Sequence, residues 1–144
     1  MTEDSKDGSG AYKLDDQVGF LMRKANQRHL ALFAQTIGDV TPTQFAALSK
    51  LCDLGQVSQN ALGRATAMDA ATIKGVVDRL RGRGYIESQP DPDDSRRVHL
   101  RPTREGRSIY ARLQAHARAI SEETLAPLNA RDQQKFLKML KKLG

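Results

Sequence analysis

The sequence predicts a mainly α-helical fold with one small β-hairpin, arranged as a winged helix-turn-helix flanked by longer helices. Three observations predict it. Apolar residues recur at helical spacing over most of the chain. Two short helices, 59–66 and 69–83, are separated only by Ala67-Met68, as a helix-turn-helix requires. Directly after the second, the apolar period switches from helix-like to alternating on either side of a turn-rich loop.

Each element has its own signal. Leu14, Val18, Leu21, Met22, Ala25, His29, Leu32, Phe33 and Ile37 fall on one stripe, which predicts a long amphipathic helix, ended by Gly38. Thr41-Pro42-Thr43-Gln44 combines a capping residue, Pro at the first helical position and Gln three residues after the cap. Phe45, Leu48, Leu51 and Cys52 then face the core until Gly55. Ser58 opens the short helix anchored by Leu62, and Asp69 caps the next, which turns Ile73, Val76, Val77 and Leu80 inward before Gly82 and Gly84. Residues 85–89 and 97–101 read as strands around the turn-forming run Pro90–Ser95. A helix from Pro102-Thr103 carries Ile109, Leu113, Ala117 and Ile120 as far as about Ala126, and Pro127 breaks it. The final helix, Ala130 to Leu143, places Phe136, Leu137, Leu140 and Leu143 on one side.

Length suits one domain: 144 residues, read as a polar tail at 1–10, expected to be disordered, and a domain at 11–144. No apolar run approaches the roughly 20 residues of a membrane helix. The polar, mildly acidic start is no secretory signal, and a single cysteine suits the reducing cytoplasm, where the protein is expected to work. The formal charge of +6 favours a polyanionic partner. Its distribution does not locate the surface: residues 1–63 net −1, residues 64–100 net +1, and residues 101–144 net +6. There is no phosphate-binding Gly loop, nucleophile motif or evident acid–base pair, so no enzyme is expected. Three scattered histidines and Cys52 lack metal-ligand spacing, so neither metal nor cofactor is expected. Cys52, inward on an apolar helix face with no adjacent basic residue, reads as an inert thiol.

A recognition helix enters the major groove by its N-terminal residues and outward face. With the apolar set inward, the outward set is Ala70, Ala71, Thr72, Lys74, Gly75, Asp78 and Arg79. Thr72 suits a base edge or phosphate, Ala70 or Ala71 a thymine methyl, and Lys74 is the best placed base or phosphate contact. Ser58, Gln59 and Asn60 start the preceding helix, where free N–H groups favour a phosphate. On the wing, Arg96 suits the minor groove and Arg97 a phosphate, with Asp94 expected to hold Arg96 within the loop.

These residues resemble the MarR family of bacterial regulators. The resemblance runs through Thr72-Ile73-Lys74-Gly75-Val76-Val77-Asp78-Arg79-Leu80, Arg83-Gly84-Tyr85-Ile86, Asp91-Pro92-Asp93-Asp94-Ser95-Arg96 and Thr103-Arg104-Glu105-Gly106, and covers about residues 14–143 with the helical framework. It implies a homodimer, with dimerisation helices at about 12–38 and 103–144 around a winged helix-turn-helix at about 41–102. It implies a repressor of a pseudo-palindromic operator, released by a small aromatic or phenolic acid; the chain resembles regulators of aromatic acid catabolism, those answering to hydroxynicotinate among them. By carry-over Thr72 and Lys74 face bases and Arg96 tips the wing, while Gly75 departs from the longer side chain often found there. Such a ligand wants a cation or imidazole against an apolar wall, which makes His29, with Arg23 and Asn26, a candidate site beside the alternative of a core or interface histidine. His116 is a weaker candidate, and His99 reads as a surface residue. Two other readings compete: a winged helix used for protein contact, and an architectural DNA binder without sequence preference.

Overall fold

The computed structural model describes residues 10–94 and 96–144, so the tail expected at 1–10 lies, apart from Gly10, outside the described residues. A 3-10 turn at Leu14–Asp16 precedes α1 (Val18–Thr36), α2 (Pro42–Leu54), β1 (Val57–Ser58), α3 (Gln59–Ala65), α4 (Ala70–Gly82), β2 (Ile86–Pro90), β3 (Val98–Pro102), α5 (Arg104–Leu125) and α6 (Ala130–Leu143). The predicted mainly helical architecture with a small wing is the one observed.

Helix starts obey local chemistry. Thr41 forms the full capping box with Gln44, with Pro42 in the first turn. Ser58, Asp69, Thr103 and Asn129 each accept a hydrogen bond from the backbone N–H three residues on. Gly55 (φ 82°) and Gly84 (φ 79°) supply the left-handed turns after α2 and between α4 and β2. One core joins the elements: Leu48, Leu51, Leu62, Ile73, Val77, Leu80, Ile86 and Leu100 are fully buried, and Phe33, Ile37, Ile109, Leu113 and Ile120 extend it between α1 and α5.

Two sequence expectations need correction. The wing is a three-stranded antiparallel sheet in the order β1-β3-β2, not a lone hairpin. Val57 pairs with Leu100 and Ser58 with His99, but a two-residue strand is too short to show alternation. The predicted first helix is interrupted at Gln17, whose backbone is extended (φ −89°, ψ 141°), so helix begins at Val18. The stripe on that helix is buried toward its C-terminal end, at Phe33 and Ile37, and open toward its start. Leu14, Val18, Leu21 and Met22 are 49–63% exposed, and α6 buries none of its residues despite its aligned Phe136, Leu137, Leu140 and Leu143. Helical periodicity reports that a face is apolar, not which surface covers it. Among the described residues, no helix is long and apolar enough to cross a membrane.

Candidate nucleic-acid interface

Close packing of α3 on α4 sets the recognition helix. A Cβ at Gly63 would lie 3.2 Å from both Ile73 Cγ2 and the Met68 carbonyl oxygen, so only glycine fits there without displacement. Between the helices Ala67 takes a left-handed backbone (φ 57°), and the Met68 N–H bonds the Gly63 carbonyl at 2.8 Å. This chemistry is invisible to periodicity, because it concerns backbone approach rather than an apolar face. With Ile73, Val76, Val77 and Leu80 buried, Ala70, Ala71, Thr72, Lys74 and Arg79 stand exposed and Gly75 half-buried. The Thr72 N–H donates to Asp69 at 2.8 Å, and this bond holds the Asp69 carboxyl below the usual carboxylate range.

Farther along the same face, Lys74 Nζ sits 2.8 Å from one oxygen of Asp78, and Arg81 Nη1 sits 3.2 Å from the other. Hydrogen bonding from Lys74 is the main reason the Asp78 carboxyl titrates low. Arg81 also donates through Nε and Nη2 to the Ser88 hydroxyl, which ties the helix to β2.

The wing tip has the internal bonding expected of Asp94. Its carboxylate accepts from the Arg96 backbone N–H at 3.0 Å and from Arg96 Nε at 3.2 Å, and lies 4.0 Å from Arg97. Arg96 thereby holds the Asp94 carboxyl below its ordinary range. The Arg96 and Arg97 side chains are 89% and 76% exposed. His99, expected at the surface, is instead half-buried beside the wing loop. Gln56 Nε2 donates to its Nδ1 at 3.1 Å, which leaves Nε2 to donate to Asp91 at 3.3 Å. Alternation assigned His99 a face; it could not show that Gln56 reaches over that face. On α3, Ser58 accepts from the Ala61 N–H as the cap, Gln59 is half-buried and Asn60 exposed.

Two connections missed from the sequence anchor these parts to the flanking helices. Arg83, which caps the C-terminus of α4, donates to the Asp39 carbonyl and to the Tyr85 hydroxyl, and its guanidinium lies 5.1 Å over the Tyr85 ring; Arg112 on α5 pairs with the Asp39 carboxylate at 3.2 Å. At the other end of α5, Arg28 donates to the carbonyls of Thr124 (2.8 Å) and Glu123 (2.7 Å), satisfying acceptors that a helix end leaves open. His29 is half-buried beside it. The Thr124 hydroxyl donates to the Ile120 carbonyl, so the His29 Nδ1–H donates to Thr124 at 2.8 Å, leaving Nε2 without a hydrogen bond among the described residues. Arg23, Asn26 and His116 are exposed, and no hydrogen bond joins them to His29 among the described residues. Burial pushes the Cys52 thiol up, away from thiolate reactivity. No group of three or more His, Cys, Asp or Glu among the described residues could hold a metal.

A helix bound to the core by one face and bare on the other, entered through a tight turn and followed by an arginine-tipped wing, defines a winged helix-turn-helix DNA-binding protein. Residues 40–98 match the MarR family, and the chain is 42% identical over 134 residues to the HTH-type transcriptional repressor NicR of Pseudomonas putida, covering 92% of this chain and 85% of that protein. The protein belongs to the MarR family, whose members are transcriptional regulators and not enzymes. Two solved structures show the same fold. One, from a study of how 6-hydroxynicotinic acid regulates DNA binding by Bordetella bronchiseptica BpsR, is 37% identical with a TM-score of 0.89, over 93% of this chain and 97% of that one. The other, a mutant Escherichia coli MarR complexed with operator DNA, is 25% identical with a TM-score of 0.81, over 88% of this chain and 92% of that one.

Proposed function

We propose that this regulator is a cytoplasmic homodimeric repressor that reads a pseudo-palindromic operator with paired α4 helices and is released by a small aromatic acid. The observation that carries the DNA reading is the bare outward face of α4, with Thr72 and Lys74 opposite the buried Ile73, Val77 and Leu80. Ala70, Ala71, Gly75 and Arg79 complete the groove-facing surface, Ser58, Gln59 and Asn60 meet phosphate, and Arg96 and Arg97 add wing contacts. The operator-bound MarR relative supports this reading through its shared fold. The exposed apolar faces of α1 and α6 support a second copy as the partner.

For the ligand, the BpsR relative, whose DNA binding 6-hydroxynicotinic acid regulates, favours an aromatic acid of the hydroxynicotinate kind. Its carboxylate would meet Arg23, and the open Nε2 of His29 would bond the ring, with Asn26 and His116 near the rim. Release requires that the acid bind the DNA-incompetent arrangement of the two α4 helices more tightly than the competent one.

The test is selection of duplexes from random DNA, followed by titration with Lys74→Ala and Arg96→Ala. Each loss should weaken operator binding, Lys74→Ala by about 1–3 kcal/mol if it contacts a base. Unchanged affinity in both variants would reject the groove-reading assignment and favour a protein-contact role. Absence of any selected sequence would favour the architectural role. 6-Hydroxynicotinic acid should release the wild-type complex and fail to release Arg23→Ala.

A further inference from the structure

Within α4 (Ala70–Gly82) Asp78 is the single acidic residue, and it sits on the face assigned to DNA. Its carboxylate is 48% exposed, and each oxygen is matched to a different cation: Lys74 Nζ at 2.8 Å and Arg81 Nη1 at 3.2 Å. Arg81 continues the track to Ser88 Oγ, at 3.1 Å from Nε and 2.7 Å from Nη2, so a chain of four side chains runs from mid-helix to the first long wing strand.

An exposed i, i+4 ion pair contributes little to folding. Its consequence at a DNA face is larger. A carboxylate within a Debye length of phosphates opposes binding to any duplex, whatever its sequence. Lysine is a point charge on a flexible stem, and any phosphate satisfies it. A Lys74 held on Asp78 is confined along the helix axis, and reaching for a phosphate means abandoning a charged partner. The Asp78 carboxyl titrates low because of Lys74, so it is ionised wherever the protein binds DNA at neutral pH.

We propose that Asp78 is a specificity-determining residue: it confines Lys74 to the groove-facing position and opposes binding to DNA that offers phosphates alone. This rests on the groove-facing assignment of Lys74 made above. Asp78 is thus a positioning residue that raises the ratio of operator to non-operator affinity rather than affinity itself.

The experiment uses the full chain and two fluorescent duplexes of equal length, the selected operator and a scrambled sequence, across a range of salt concentrations. Asp78→Asn keeps the shape, removes the charge and leaves one of the two acceptors. It should bind the scrambled duplex about fivefold more tightly at physiological salt, the gain expected from one added phosphate contact, with a salt slope steeper by about one. Operator affinity should change by less, so discrimination falls. Unchanged affinity for the scrambled duplex overturns the inference, as does a loss confined to the operator, which is what mere support of the helix face would give. Lys74→Ala separates the two levels. If it weakens operator binding while Asp78→Asn leaves discrimination intact, only the role of Asp78 fails. If it leaves operator binding untouched, the assignment of Lys74 fails and takes this inference with it.

Discussion

Replacing Gly106 with alanine should destabilise the protein by about 3 kcal/mol, the upper end of overpacking costs, and lower its melting temperature by about 10 °C at fixed chain concentration. Gly106 lies buried in the first turn of α5, directly against the start of β2. A Cβ there would lie 1.9 Å from the Tyr85 carbonyl oxygen and 2.9 Å from its carbon. The obstacle is backbone, so no side-chain rotation relieves it. That carbonyl also accepts the Thr103 N–H at 3.0 Å, while Thr103 Oγ1 donates to the Gly84 carbonyl at 2.6 Å and caps the Gly106 N–H at 3.0 Å. Displacing Tyr85 therefore disturbs the cap of α5, the exit from α4 and the root of the wing together. Gly75 provides the control. It too is helical, but its Cβ would enter open space, so Gly75→Ala should stabilise by about 0.5–1 kcal/mol through lower chain entropy and better helix propensity. Calorimetry of both variants checks the pair. Equal effects of the two would mean that Tyr85 does not hold α5 at this distance.

The same glycine shows what could be read from the residues and what could not. Thr103-Arg104-Glu105-Gly106 was legible as a helix start, yet the reason for Gly106 lies at Tyr85, 21 residues earlier in the chain. Caps were readable because their partner is three residues away: Thr41, Ser58 and Asp69 all act where expected. The inward set Ile73, Val76, Val77 and Leu80 was readable because a core stripe repeats with the helix. Distance along the chain is what hid Gly63 against Ile73, Arg28 on Glu123 and Thr124, Arg83 on Asp39, and Gln56 on His99. The Lys74–Asp78 pair was within reach as an i, i+4 spacing, but spacing does not show that Arg81 also binds Asp78 and carries the track to Ser88. For α1 the periodicity marked the apolar face but not what covers it. Leu21 and Met22 form an apolar stripe that no element of this chain covers.

A second uncovered stripe, on α6, carries the second large effect. A double substitution on α6, Leu137→Glu with Leu140→Glu, should convert the homodimer proposed above to a monomer and weaken binding to a full palindrome by about 100-fold or more, the scale set by losing an intramolecular second contact. Four observations converge on this face. α6 spans 14 residues and buries none of them; an isolated helix of that length is marginal in water without tertiary packing. Phe136, Leu137, Met139, Leu140 and Leu143 are 39–71% exposed, while Lys135, Lys138, Lys141 and Lys142 supply a helix face that water can satisfy. Gln133 ties the start of α6 to the carbonyls of Leu125 and Leu128 at 3.1 and 2.9 Å, which holds the base of the helix while leaving its apolar side open. At the other end of the chain, Leu14, Val18, Leu21 and Met22 present a second open apolar strip. Two carboxylates in the middle of such a face would be desolvated without a dedicated partner, a cost that apolar contacts elsewhere do not offset. Light scattering at micromolar concentration reads the oligomeric state directly. Binding to a single half-site should be nearly unchanged in the variant, because Thr72, Lys74 and Arg96 belong to α4 and the wing, elements that α6 does not build. A variant that stays dimeric would remove α6 from the interface. One that becomes monomeric yet keeps full affinity for the palindrome would show that each chain reads the operator alone.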